Sequence, residues 1–96
     1  MYATAEERAI YTANLTKVIG QIITNDLTVG RTDNNLEPFT QEQIDQFIKQ
    51  NCDNIRKAIK AIIDDYEEDD DLDELDDPRS YWVVEYLYDY VDTRSI

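Results

Sequence analysis

An all-α fold, a small bundle of three main helices with an acidic helix-helix connection, is what this 96-residue chain predicts, on two observations. Capping-box signatures, Thr4-Ala5-Glu6-Glu7 and Thr40-Gln41-Glu42-Gln43, each precede an apolar series at helical spacing. The segment YWVVEYLYDYV near the C-terminus is rich in strand-favouring residues, yet its apolar and acidic positions separate better by a 3.6-residue period than by alternation. Ninety-six residues with 42% hydrophobic content suffice for one modest core, so residues 1–96 read as a single acidic helical domain.

The first helix is expected over residues 4–24, with Tyr11, Leu15, Val18, Ile19, Ile22 and Ile23 on its apolar side. Residues 25–39 hold Gly30, two adjacent asparagines and Pro38 and read as a loop, with a short extended piece at 27–29. Such a loop is long for a compact domain. From the Thr40 cap, Ile44, Phe47, Ile48, Cys52, Ile55, Ile59, Ile62 and Tyr66 sustain one helical period, which predicts a single second helix. Leu72 and Leu75 interrupt the acidic run that follows, and their spacing of three would let a helical turn pin itself by one edge. Asp77 as N-cap and Pro78 at the first helical position form a proper start for the third helix. There Val83, Val84, Leu87, Tyr90 and Val91 share one face, with Tyr90 assigned to the core, and Glu85, Asp89 and Asp92 fall on the other. The alternative is an α+β fold whose C-terminal strand pairs with residues 27–29 or with another copy.

Charge divides the chain. Residues 1–63 hold eight acids against seven bases, a net −1, whereas residues 64–96 hold fourteen acids against two bases, a net −12. Self-repulsion of this order opposes folding, so it calls for another reason, and a positively charged partner supplies one. A total of −13 repels nucleic acid and anionic lipid, which excludes both as direct ligands. No apolar run approaches the ~20 residues of a membrane span, and no cleavable leader is recognisable, so a soluble intracellular protein is expected. The single cysteine, Cys52, allows no intrachain disulfide, as suits a reducing cytosol, and on the apolar face it reads as a small core residue.

Eleven of the fourteen residues at 64–77 are carboxylates: Asp64, Asp65, Glu67, Glu68, Asp69, Asp70, Asp71, Asp73, Glu74, Asp76 and Asp77. In a helix they would lie about 1.9 Å apart along the axis, close to the one charge per about 1.7 Å of a duplex. In an extended chain the spacing is nearer 4 Å, as in a single strand. Glu85, Asp89 and Asp92 would prolong the track, flanked by Tyr81 and Tyr88 on one side and by Trp82 and Tyr86 on the other. Aromatic rings beside carboxylates can stack on guanidinium planes and supply apolar anchors, which makes Tyr81, Trp82 and Tyr88 candidate contacts. Four such rings exceed what two partner helices can bury, and an exposed remainder would fit a homodimer contact.

Plainer readings stand beside this one. A run of like charges most often forms a solvated connection that confers solubility. The alternating Asp69, Asp71 and Asp73 resemble a calcium loop, but the sixth and twelfth positions hold Glu74 and Ser80 where glycine and a bidentate Glu are needed, so no metal site is expected. Lys49, Asp53, Arg56, Lys57 and Lys60 form a stripe suited to ion pairs within the helix or to screening the acids. With no histidine, no glycine-rich phosphate loop and no enclosed carboxylate pair, neither an enzyme nor a cofactor is expected.

The tract YEEDDDLDELDD, continued by YWVVEYLYDYVD, resembles the acidic DNA-mimic inhibitors of bacteriophages, of the anti-restriction and anti-CRISPR type. The likeness is one of composition and layout over residues 64–92. It implies a stoichiometric inhibitor that occupies the DNA groove of a restriction, CRISPR, repair or transcription enzyme in the cytoplasm of a bacterial host cell. A basic DNA-binding protein or nuclease is then the partner. Two other functions share the electrostatics: an immunity protein or antitoxin-like inhibitor of one basic nuclease toxin, and a non-inhibitory phage structural or assembly protein with a solubilising acidic tract.

Overall fold

The computed structural model describes residues 4–68 and 81–93, with the side chains of Glu68, Tyr81 and Trp82 excepted, and these residues form helices with no strand among them. The helices are α1 (Ala5–Leu27), α2 (Val29–Asp33), α3 (Gln41–Gln50), α4 (Cys52–Glu68) and α5 (Tyr81–Tyr90). The third main helix is therefore a helix and not a strand. Asp77, Pro78, Leu72 and Leu75 lie outside the described residues.

Both capping boxes form. The Glu7 N–H donates to Thr4 Oγ1 at 3.1 Å and the Thr4 N–H to Glu7 Oε1 at 3.3 Å. At α3 the Gln43 N–H donates to Thr40 Oγ1 at 3.2 Å and the Thr40 N–H to Gln43 Oε1 at 2.8 Å. Each box satisfies two backbone donors that the first turn would otherwise leave open.

Two boundaries differ from the sequence expectation. The first helix does not stop at Thr24 but runs to Leu27, whose side chain is fully buried, and α2 follows where an extended piece was expected at 27–29. Thr28 Oγ1 donates to Thr24 O at 2.7 Å and closes the last turn of α1. The remaining connection is tied down by the Phe39 N–H, which donates to Leu27 O at 2.9 Å, by Arg31 Nε, which donates to Glu37 O at 2.6 Å, and by the Arg31 guanidinium 4.7 Å above the Phe39 ring. Asn35 takes the positive φ of 61° that this reversal needs, a conformation asparagine tolerates. The expected single second helix is two, broken at Asn51, whose side-chain amide donates to Phe47 O at 2.9 Å and caps α3. A short polar side chain that binds its own preceding turn competes with helix continuation.

The core is built from one face of each long helix: Leu15, Ile19, Ile23 and Leu27 of α1, Ile44 of α3, Ile55, Ile59, Ile62, Ile63 and Tyr66 of α4, and Val83 and Leu87 of α5 with Val91 beyond it. α5 packs chiefly on α4 and also touches α1. Tyr90, assigned to the core by its helical position, is instead 40% exposed, and Val84 is only half-buried. At the helical period, Val83, Leu87 and Val91 centre the buried face about 60° away from where Tyr90 points, so the phenol lies on the flank. Cys52 is a free thiol, half-buried at the start of α4. No described helix is long and apolar enough to cross a membrane.

Candidate functional site

The acidic run begins within α4, and the register of that helix sorts its carboxylates before any partner is considered. Asp64 and Glu67, one turn apart, lie on the flank facing the start of α1. Arg8 bridges them, with Nη2 2.8 Å from Asp64 Oδ1 and Nη1 2.6 Å from Glu67 Oε2. Lys60, one turn back, donates to Asp64 Oδ2 at 2.5 Å. These contacts hold the Asp64 carboxyl below the ordinary value of 3.8, through the hydrogen bond from Lys60 first and that from Arg8 second. The Arg8 guanidinium is raised in turn, by Asp64 first and then Glu67. Two residues expected to face a partner thus form a clasp between α1 and α4. Glu67, with a side chain only 13% exposed, is the more sequestered of the two.

Asp65 points elsewhere and is exposed, accepting a hydrogen bond from the Tyr86 hydroxyl of α5. Tyr86 and Tyr88 both pack against the core as half-buried residues, each only partly open where the sequence suggests an exposed aromatic flank. The Tyr88 hydroxyl donates to Asp26 Oδ2 at 2.5 Å, and the buried Thr93 hydroxyl donates to the same oxygen at 2.6 Å. Asp26 and Thr93 escaped the sequence reading. For Asp26 a signal was available: it stands one turn beyond Ile22, a placement that becomes visible only if α1 is carried past Thr24.

Glu85 and Asp89 stand exposed on the outer face of α5, as their spacing predicts. Asp92 lies beyond the helix and is half-buried. The structure therefore brings Asp65, Tyr86 and Tyr88 into the seams around α5 and leaves Glu85 and Asp89 on its crest. Asp69, Asp70, Asp71, Asp73, Glu74, Asp76 and Asp77, with the side chains of Glu68, Tyr81 and Trp82, lie outside the described residues.

Of the basic stripe, Lys60 joins the clasp and Arg56 reaches Asp53 at 3.6 Å across one turn, so the two ion pairs are local, as expected. Among the described residues, two grooves lie beside α1. One, of about 500 Å³, has an apolar floor of Ile55, Ile59 and Ile63, with Thr12 and Thr16 on its α1 wall. The other, of about 380 Å³, separates α1 from α5 and contains Asp26 and Tyr88. Comparisons with protein-family models, with curated proteins and with solved structures each give no match.

Proposed function

We propose that this protein is a stoichiometric inhibitor whose carboxylates stand in for a nucleic-acid backbone in the groove of a basic DNA-binding protein of the restriction, CRISPR, repair or transcription machinery. The observation that carries this reading is the segregation of charge, a net −12 within residues 64–96, continuing onto α5 as the exposed Glu85 and Asp89. Those two lie about 6 Å apart along the helix axis, near the roughly 6.8 Å that separates alternate phosphates of one strand along a duplex. The clasp supports the reading as well, because it fixes the last described turn of α4, where the acidic run of the sequence begins.

The test is competition. The immobilised protein should capture a basic protein from bacterial lysate that duplex DNA releases, and the purified pair should exchange inhibitor for DNA one for one. Affinity should fall by roughly tenfold or more between about 50 and 200 mM salt, as for a contact that replaces several phosphates. Binding that is flat with salt and indifferent to DNA would sink the proposal. Protection confined to a single nuclease toxin, with DNA unable to compete, would instead identify an immunity protein.

A further inference from the structure

The groove between α1 and α5 combines apolar walls with a carboxylate. Its walls are apolar, from Val18 and Ile22 on one side and Val84 on the other, and its polar groups are Gln21, Asn25, Asp26 and the Tyr88 phenol. Asp26 is half-buried, and both hydroxyls that it accepts arrive at Oδ2. Asp26 itself lines the groove, and neither of these hydroxyl contacts uses its Oδ1. Among the described residues no Lys or Arg side chain reaches the Asp26 carboxylate.

From this geometry we infer that the α1–α5 groove is a receptor for one arginine side chain of the cationic partner, an inference that rests on the inhibitor reading. Shape and chemistry agree on that occupant. The aliphatic stem of an arginine would lie against Val18, Ile22 and Val84, as long cationic side chains do on apolar surface. Its planar head has five donors and no acceptor, which suits the Asp26 carboxylate together with the amide oxygens of Asn25 and Gln21. Tyr88 lines the same groove, which would place an aromatic side chain beside the guanidinium. A lysine is the poorer fit, because its compact ammonium is more strongly hydrated and loses more on entering a half-buried apolar groove. In a decoy built on charge such a pocket adds what a phosphate track lacks, a fixed register against one residue of the target.

The experiment titrates the full chain with N-acetyl-arginine amide and, separately, N-acetyl-lysine amide at equal ionic strength, following backbone amides by NMR. The arginine probe should shift the amides of Ile22, Asn25, Asp26 and Val84 saturably, and the lysine probe should bind several-fold more weakly. Asp26→Asn keeps an oxygen that Tyr88 and Thr93 can reach, so the fold should persist while arginine binding weakens about tenfold, the ordinary effect of removing the charge from a charge-assisted bond. Val84→Lys, at a half-buried position, fills the groove with a tethered cation and should abolish the selective shifts even if Asp26→Asn proves unstable. Equal response to both probes, shifts centred on Glu85 and Asp89, or undiminished binding by both variants would overturn the inference. A chain that fails this titration yet still exchanges with DNA on its target would leave the inhibitor reading standing; the reverse result would leave a guanidinium site without that function.

Discussion

The carboxylates at the end of α4 and those on the crest of α5 belong to the same acidic third of the chain, but the fold uses them in opposite ways. Asp64 and Glu67 are drawn inward by Arg8 and Lys60, and Asp65 is joined to Tyr86, whereas Glu85 and Asp89 are held out to solvent by the buried face on their far side. The difference teaches that density of charge along a sequence does not define a recognition surface. Neighbours on adjacent helices decide which acids stabilise the protein and which remain for a partner, and in this chain a single arginine from α1 removes two from the pool.

The comparison breaks most severely if α5 loses its seat. Leu87 is fully buried against the core and directs Glu85 and Asp89 outward from the opposite face. Leu87→Ala should lower stability by about 2–5 kcal/mol, the range for a leucine truncated in a packed core, and the melting temperature of a domain this size by about 10 °C or more. Thermal and urea unfolding check it. A change below about 1 kcal/mol would mean that α5 is not fixed on the bundle, and the outward display of its acids would go with it.

The inward half of the comparison was the less legible in the sequence. Caps announced themselves through Thr4 with Glu7 and Thr40 with Gln43, and the apolar spacing of Val83, Leu87 and Val91 was enough to choose helix over strand at the C-terminus. Register within an element is local information. The clasp is not, because nothing near Asp64 in the chain indicates that Arg8, fifty-six residues earlier, will lie beside it. Asn51 was hidden for a different reason: Phe47, Ile48, Cys52 and Ile55 keep the helical period across the break, so the pattern alone runs on. Tyr90 shows the limit of a wheel drawn for one helix, since the direction of the buried face depends on where α4 and α1 stand. The α1–α5 groove was illegible twice over, needing both the extension of α1 to Leu27 and the approach of Tyr88.

Removing the clasp sharpens the contrast at a smaller scale. Arg8→Met should destabilise by about 1 kcal/mol, as befits pairs that are partly exposed and screened. Its signature is the pH dependence. Asp64 is held below its ordinary value of 3.8 in the folded state, so its contribution is present above that value and is lost as pH falls through the lower folded one. Arg8 is raised still further from a value already far above this range, so its own contribution stays complete throughout the acid range. The gap in melting temperature between native and Arg8→Met protein should therefore be constant from about pH 5 to 8 and close below about pH 4. A gap that persists at acid pH would assign the arginine a packing role and leave Asp64 free for a partner.

The smallest effect on stability is expected from the outward acids, and that smallness is what identifies them. Replacing Glu85 by Gln and Asp89 by Asn alters side chains that stand exposed on the outer face of α5, so stability should change by no more than about 0.5 kcal/mol. The direction should be upward, because two like charges leave a crowded anionic surface. Affinity for the cationic partner should nonetheless fall several-fold, chiefly through slower association and with a shallower dependence on salt. The matched control is Asp64→Asn with Glu67→Gln, where unfolding should register the change and association with the partner should not, once both proteins are compared below their transitions. If the two double variants behave alike in both measurements, the acids act only through total charge, and the division of labour between α4 and α5 does not exist.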